Sequence, residues 1–247
     1  MRTRKKKWAA NELENNPLVI REEGLYTGTG PIHLEVGCGK GRFIIETARR
    51  NPDTQYIALE RDPMIVAFAA RMALKKFAFN ENIITEAQFE SNAPIKFNDA
   101  DFAHIHPNDY IKLDDDVLKD LIKQVNVKFM VADVDNLTDI FKPGDVSRLY
   151  INFCDPWPKK RTAKRRLTYD KYLDMYQSLS IPEIHFKTDN RILFESSLEC
   201  FSRCRWIISN VSLDLHHSDM PENIMTEYEE KFSPHGPIYR LEAAIPK

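Results

Sequence analysis

From Ile32 onward the chain alternates two kinds of hydrophobic pattern. Short apolar runs such as "IHLEV", "QYIALE", "VKFMVAD", "RLYINFCD" and "EIHFKTD" have the length of buried strands. Segments with helical spacing of apolar residues, such as "PMIVAFAARMALKKFAF" and "NRILFESSLECFSR", lie between them. This order predicts parallel strands in a doubly wound α/β sheet with helices on both faces.

The end of the chain departs from this alternation. "RWIISNVSLDL" and "GPIYRLEAAI" have the pattern of two strands, and "NIMTEYEEKFSPHG" between them predicts a loop or a short helix. Without a crossover helix, the two strands are expected to pair antiparallel. The expected fold is therefore Rossmann-like, with a mostly parallel seven-stranded sheet and an antiparallel last strand.

We expect one α/β domain at residues 31–247, preceded by a basic N-terminal arm and lead-in at 1–30. Five of the first seven residues are Arg or Lys. The segment between about residues 78 and 125 contains ten acidic and four basic residues, and it has no strong alternation of apolar and polar residues. This stretch predicts a helical or loop insertion, since a structureless connection of that length is unusual in a compact domain. Its acidity argues against contact with nucleic acid there.

Composition narrows the class of protein. The formal net charge is −2, so any binding of nucleic acid must come from local basic clusters. No apolar run follows the basic start and none is long enough to span a membrane, which predicts a soluble, cytoplasmic protein. The four cysteines form no CxxC pair, so neither a disulfide framework nor a metal site is expected.

The first predicted strand ends in a glycine-rich turn, "LEVGCGKGRF". Its GxGxG spacing differs from the GxGxxG that binds a dinucleotide pyrophosphate, which disfavours an NAD-dependent oxidoreductase. Gly37 and Gly39 allow close approach of a ligand to the backbone, although a tight strand–helix turn alone also explains them. Acidic residues lie at the ends of the first three predicted strands. Glu35 is suited to bind an ammonium group, Glu60 is suited to bind ribose hydroxyls, and Asp133 is suited to bind an adenine amino group. These groups together describe a ligand that joins an amino acid to a nucleoside and has no phosphate. S-adenosylmethionine is such a ligand, and the pattern predicts it as the cofactor.

The fourth predicted strand ends at Asp155 in "NFCDPWP", where a carboxylate faces the ligand crevice of an open sheet. Pro156 and Pro158 stiffen the turn and hold Trp157 in place. The simpler alternatives to a functional role are that Asp155 caps a helix or turn and that Trp157 only packs against its neighbours. "KKRTAKRR" follows directly, with six basic residues in eight. Such a cluster suits phosphate contacts, which position a nucleic acid rather than identify its bases.

Four segments, "LEVGCGKG", "NFCDPWPKKRTAKRRL", "HFKTDNRILFE" and "NIMTEYEEKF", closely resemble the bacterial tRNA (guanine-N7)-methyltransferases, in the same order and over nearly the whole chain. The resemblance implies the fold of a class I S-adenosylmethionine-dependent methyltransferase. It also implies methylation of N7 of guanine 46 in the tRNA variable loop. tRNA is then the expected partner and the protein a monomer or homodimer.

The same resemblance implies roles for individual residues. Those expected at the S-adenosylmethionine pocket are Glu35, Gly37, Gly39, Glu60, Asp133 and Asp155. Asp155 is also the candidate catalytic acid. Those expected to contact the substrate are Lys159, Asp189, Thr226, Glu227, Tyr228 and Glu229. Those expected to contact RNA are Arg161, Lys164, Arg165 and Arg166.

Two features depart from the family pattern: the acidic segment is longer than usual, and "SIPEIHF" lacks a glycine pair often found before "KTDN". Neither contains a motif residue. Two alternatives remain at this point. One is an RNA methyltransferase acting on an exocyclic amino group, which places an Asp-Pro-Pro-aromatic motif at the same strand end. The other is an RNA-binding module with a degenerate cofactor pocket.

Overall fold

The computed structural model describes residues 7–21, 32–91, 93–95, 110–220 and 223–246. In these ranges there are eight strands: β1 Val19–Ile20, β2 Ile32–Val36, β3 Tyr56–Glu60, β4 Val127–Val131, β5 Val146–Asn152, β6 Glu183–Thr188, β7 Ile207–Ser212 and β8 Tyr239–Ala244. The same ranges contain nine α-helices: α1 Lys7–Asn15, α2 Arg42–Arg50, α3 Pro63–Asn80, α4 Glu86–Glu90, α5 Asp115–Gln124, α6 Leu137–Ile140, α7 Asp170–Ser178, α8 Arg191–Arg203 and α9 Glu227–Phe232.

The chain divides into two compact units. The first comprises residues 1–22 and 38–133, and the second comprises residues 23–37 and 134–247, each as far as it is described. In the first unit, β4 pairs in parallel with both β1 and β3. In the second, β2, β5 and β6 pair in parallel, and β8 runs antiparallel between β6 and β7. The seven predicted strands and the antiparallel last strand are confirmed, and β1 is an additional short strand.

Helix α3 organises the first unit. Asp62 caps its N-terminus by accepting a hydrogen bond from the Met64 amide at 2.9 Å, and Pro63 occupies the first helical position, where no amide hydrogen is needed. Arg71 on α3 forms a 2.7 Å ion pair with Glu12 of α1 and lies over the Trp8 ring at 4.3 Å. Part of the segment predicted as a basic arm is therefore a helix attached to the first unit.

The described part of the acidic segment consists of helices joined by turns and extended residues. It includes the end of α3, the short helix α4 and the amphipathic helix α5, and one parallel bridge joins Ile95 to Ile111. Residues 96–109, which contain some of the acidic residues of this segment, lie outside the described residues. The domain boundaries proposed from the sequence therefore stay predictions. Within the described ranges, no helix has the length and apolar character needed to cross a membrane.

Strand β7 forms the outer edge of the second unit's sheet and contains a bulge. Ser209 is opposite Glu242 while Ser212 is opposite Arg240, so β7 has one more residue than β8 over this stretch. Asn210 takes up the extra length in the left-handed region, with φ of 49°. The bulge interrupts the ladder near the middle of the strand.

Candidate active site

The turn after β2 depends on three glycines with positive φ. Gly37, Gly39 and Gly41 have φ of 72°, 54° and 84°. A Cβ atom on Gly37 or Gly39 would meet nothing within 4 Å, whereas one on Gly41 would lie 3.1 Å from Ala69 and Ile45. Gly41 is therefore required for helix packing, while the space beside Gly37 and Gly39 is open to a ligand.

Glu60, the last residue of β3, is fixed by backbone donors. Its carboxylate accepts hydrogen bonds from the amides of Gly39 at 3.3 Å, Arg61 at 2.8 Å and Asp62 at 3.1 Å. The side chain is half-buried. Oε1 accepts two of these bonds and Oε2 accepts one, so Oε2 retains a lone pair for a further donor such as a ribose hydroxyl. Glu60 lies at the carboxyl end of β3, where the sequence predicts a ribose-binding acid.

Glu35 on β2 is almost fully buried and is oriented by a residue that the sequence did not single out. The side-chain amide of Asn152, the last residue of β5, donates a 2.8 Å hydrogen bond to Glu35 Oε1. A carboxylate in this environment needs such partners because burial penalises charge. Asp133 is half-buried two residues after β4, at the carboxyl end of that strand.

Asp155 is exposed on a turn with unusual backbone geometry, formed by residues 153–158 and called here the Asp155 turn. Phe153 and Trp157 have φ of 51° and 41°, a region that costs a non-glycine residue about 1–3 kcal/mol. The Phe153 amide donates a 2.9 Å hydrogen bond to the Lys187 carbonyl, which ties the turn to the end of β6. Burial raises the pKa of the neighbouring Cys154 thiol to about 12, which disfavours the thiolate.

The basic run after the turn divides into two environments. It forms a 3₁₀-helix at Lys160–Arg165, on and beside which Lys159, Arg161 and Lys164 are exposed. The Arg165 guanidinium lies 4.9 Å from the Trp157 ring centroid. Arg166, predicted with the RNA-contacting residues, is only 8% exposed. Its guanidinium donates to the carbonyls of Pro156 at 2.9 Å and Trp157 at 3.1 Å and to Ser196 Oγ at 2.7 Å.

Tyr228 links the "TEYEEKF" motif to the Asp155 turn. Its ring lies 5.2 Å from that of Phe153 and stacks on Phe232 at 4.2 Å. Its hydroxyl donates a 3.1 Å hydrogen bond to Asp189 Oδ2 just after β6. Partial burial and the adjacent Asp189 charge raise the pKa of the phenol, which keeps it a hydrogen-bond donor. The structure therefore brings Asp155, Asp189 and Tyr228 to the same end of the second unit's strands.

Two residues expected to contact substrate are occupied in holding the motif together. Glu229 is fully buried, and its carboxylate lies 2.7 Å from Lys187 Nζ and 3.1 Å from His216 Nε2. Thr226 and Glu229 form a reciprocal capping box at the start of α9. Glu227 is half-buried. Lys187 is the residue in the sequence that could have indicated the buried Glu229. It is a lysine among the buried positions of "EIHFKTD", and a buried lysine needs a buried acid as its partner.

The chain is similar to known methyltransferases over most of its length. The Methyltransf_4 methyltransferase family model matches residues 29–101 and 104–241. The tRNA (guanine-N(7)-)-methyltransferase of Bacillus subtilis (strain 168) is 42% identical over 254 residues, which cover 98% of each chain. The enzyme of that name from Streptococcus mutans serotype c is 40% identical over 98% of this chain and 99% of its own length.

The solved structure of the 16S rRNA methyltransferase KamB matches with a TM-score of 0.51 at 12% sequence identity, covering 88% of each chain. At this identity the likeness concerns the fold alone, which is the Rossmann-like fold of class I S-adenosylmethionine-dependent methyltransferases. With full-length relatives at about 40% identity and the matching family model, the chain belongs to the tRNA (guanine-N7)-methyltransferase family.

Proposed function

We propose that this chain transfers the methyl group of S-adenosylmethionine to N7 of a guanine in tRNA, the variable-loop guanine 46, with Asp155 beside the reacting atoms. Family membership supports the enzyme class, the methyl donor and the tRNA substrate. The observation that carries the assignment of Asp155 is its exposed carboxylate on a strained turn at the carboxyl end of β5, where ligands bind in open α/β sheets.

The residues around the glycine turn fit the methyl donor. Gly37 and Gly39 leave space beside the backbone, and Glu60 presents a carboxylate already oriented by three amides. We assign Glu60 to the ribose hydroxyls, Asp133 to the adenine amino group and Glu35 to the amino-acid end. When bound, S-adenosylmethionine supplies an electrophilic methyl group on a sulfonium.

Guanine N7 has a lone pair and carries no proton, so its methylation needs no general base. The protein's contribution is alignment of the base and stabilisation of the positive charge that the purine acquires. Asp155 serves the second purpose as an accessible carboxylate. Asp189 and Glu227 are accessible acids among the residues expected to contact substrate, and they are proposed to accept hydrogen bonds from N1–H and the amino group of guanine. Glu229 is excluded from that role by its burial against Lys187.

The exposed residues Lys159, Arg161, Lys164 and Arg165 are proposed to position the tRNA through its phosphates. They follow the Asp155 turn directly, so a strand bound along them passes close to the proposed catalytic carboxylate. Cytoplasmic location and a monomeric or homodimeric state remain predictions from the sequence.

The test is methylation of unmodified tRNA with labelled S-adenosylmethionine, followed by nucleoside identification, for the wild type and Asp155→Asn. We expect 7-methylguanosine from the wild type and a kcat at least about 100-fold lower in the variant, the size of effect found for loss of one preorganised electrostatic group. Asp174→Asn, the same change at an exposed acid of α7, is the matched control and is expected to keep full activity. Wild-type activity in folded Asp155→Asn contradicts the assignment. A methyl group on an exocyclic nitrogen instead supports the amino-group alternative.

A further inference from the structure

We infer that Arg166 is a positioning residue for methyl transfer: it holds the Asp155 turn in the conformation that presents Asp155, and it does not bind RNA phosphate. This inference rests on the proposed role of Asp155. It differs from the reading of the sequence, in which Arg166 is simply the last charge of "KKRTAKRR".

The three acceptors of the Arg166 guanidinium explain how it acts on the turn. Nε donates to the Pro156 carbonyl and Nη2 to the Trp157 carbonyl, so two consecutive peptide oxygens point to one planar group. Nη1 donates to Ser196 Oγ on α8. The bonds to Pro156 and Trp157 fix the peptides directly after Asp155, and the bond to Ser196 attaches them to a long helix.

The anchoring side is itself well ordered by hydrogen bonds. Ser196 Oγ donates a 2.9 Å bond to the Leu193 carbonyl, so it accepts from Arg166 in a defined orientation. The backbone of Arg166 is also held, because its amide donates to the Ala163 carbonyl and its carbonyl accepts from the Tyr169 amide. A side chain supported in this way can maintain the left-handed conformation of Trp157 against its intrinsic cost.

These three hydrogen bonds require the guanidinium group of arginine, and a positive charge alone is not sufficient. Guanidinium presents its donors in a fixed planar fork, whereas the ammonium of lysine is a single centre on a flexible chain. Lysine at this position cannot reach two backbone carbonyls and a hydroxyl in the same geometry. A phosphate contact, in contrast, tolerates lysine because it depends mainly on charge.

This difference gives a direct test with Arg166→Lys and Arg166→Gln, measuring kcat at saturating tRNA and S-adenosylmethionine and the Kd for tRNA at several salt concentrations. We expect both variants to lose at least tenfold in kcat, with the Kd and its salt dependence unchanged. Arg203→Lys, an exposed arginine of α8 that pairs with Asp170 and has no proposed role in binding or catalysis, is the matched control and is expected to keep its kcat. A near wild-type Arg166→Lys, together with an Arg166→Gln variant that weakens tRNA binding and flattens its salt dependence, overturns the inference.

Two further variants make the outcome decisive. Ser196→Ala removes one acceptor without touching a charge, and we expect its kcat to fall several-fold at an unchanged tRNA Kd. If circular dichroism shows that Arg166→Lys is not folded, the test depends on Ser196→Ala. A wild-type kcat in Ser196→Ala then refutes the positioning role of Arg166. Asp155→Asn is assayed in parallel. An active Asp155→Asn refutes the proposed function, whereas an inactive Asp155→Asn beside an active Arg166→Lys refutes only the role of Arg166.

Discussion

Lys187 Nζ lies 2.7 Å from Glu229 Oε2, and the two residues are 5% and 0% exposed. The ammonium also donates to Asn223 Oδ1 and to the Ile224 carbonyl, each at 3.0 Å. Burial lowers the pKa of Lys187, and the Glu229 charge opposes that shift. One ion pair therefore joins the end of β6, which Asp189 follows, to the segment that carries Glu227 and Tyr228.

Breaking this pair is expected to destabilise the protein. Lys187→Met leaves a buried carboxylate without its cation, which costs about 3–5 kcal/mol in comparable sites. The double variant Lys187→Met/Glu229→Gln is expected to be more stable than Lys187→Met alone, because no uncompensated charge remains. Thermal and urea unfolding of the four proteins in this cycle measure the coupling. Additive effects would show that the pair does not act as a unit.

The two kinds of glycine in the turn after β2 are expected to respond differently to alanine. Gly41→Ala is expected to lower the free energy of unfolding by about 1–3 kcal/mol, through an overpacked contact with Ala69 and Ile45 and a positive φ. Gly39→Ala meets no atom within 4 Å and is expected to cost about 1–2 kcal/mol from φ alone, while weakening the binding of S-adenosylmethionine.

Calorimetric titration with S-adenosylmethionine and thermal unfolding of both variants test this contrast. Unchanged affinity in Gly39→Ala would place the methyl donor elsewhere.

The exposed basic residues are expected to govern the salt dependence of tRNA binding. Replacing Arg161 and Lys164 together by Gln should reduce the slope of log K against log salt by about 1 to 2, since each phosphate contact releases about one counterion. Lys119→Gln/Lys123→Gln on α5 is the control, because those lysines are exposed but already lie beside Asp116 and Asp120. Equal slopes in both double variants would argue against a phosphate-binding role for this run.

His33 is expected to make stability depend on pH between its folded and unfolded pKa values, about 4 and 6.5. Burial, assisted by the Arg148 charge, lowers the pKa of His33 to about 4. Below its ordinary pKa of 6.5 the unfolded chain takes up the proton and the folded chain does not, so stability falls as the pH falls and is fully present above 6.5. Because His33 is partly exposed, the loss is on the order of 1 kcal/mol.

His33→Gln should show a smaller loss of stability between pH 7 and pH 5. Glu183, whose pKa is lowered to about 2 mainly by its hydrogen bond to His185, does not interfere, because its own effect begins only below pH 4.5. Unfolding midpoints at pH 5 and 7 for both proteins provide the measurement. An identical pH dependence would show that His33 is not the group responsible.

Residues at strand ends were accessible from the sequence because a strand's position and length follow from its apolar pattern, and its direction follows from the alternation of strands with helices. Glu35, Glu60 and Asp155 each terminate or follow an apolar run, and the structure places all three at carboxyl ends. The partners of charged residues were not accessible in the same way. Arg166 and Glu229 look like members of solvent-facing charged runs, and only tertiary packing decides that their side chains turn inward. The capping box of Thr226 and Glu229 has a recognisable spacing that competes with the substrate role implied by the family.

The bulge in β7 has a consequence for how copies of the protein meet. An edge strand with the exposed side chains Ile207 and Val211 offers a template for adding a strand from another molecule. The extra residue at Asn210 breaks the run of evenly spaced amide and carbonyl groups, so a straight strand cannot follow this edge in continuous register. The irregularity thus protects a hydrophobic edge against fibre-like association at no cost to the strands that support the site.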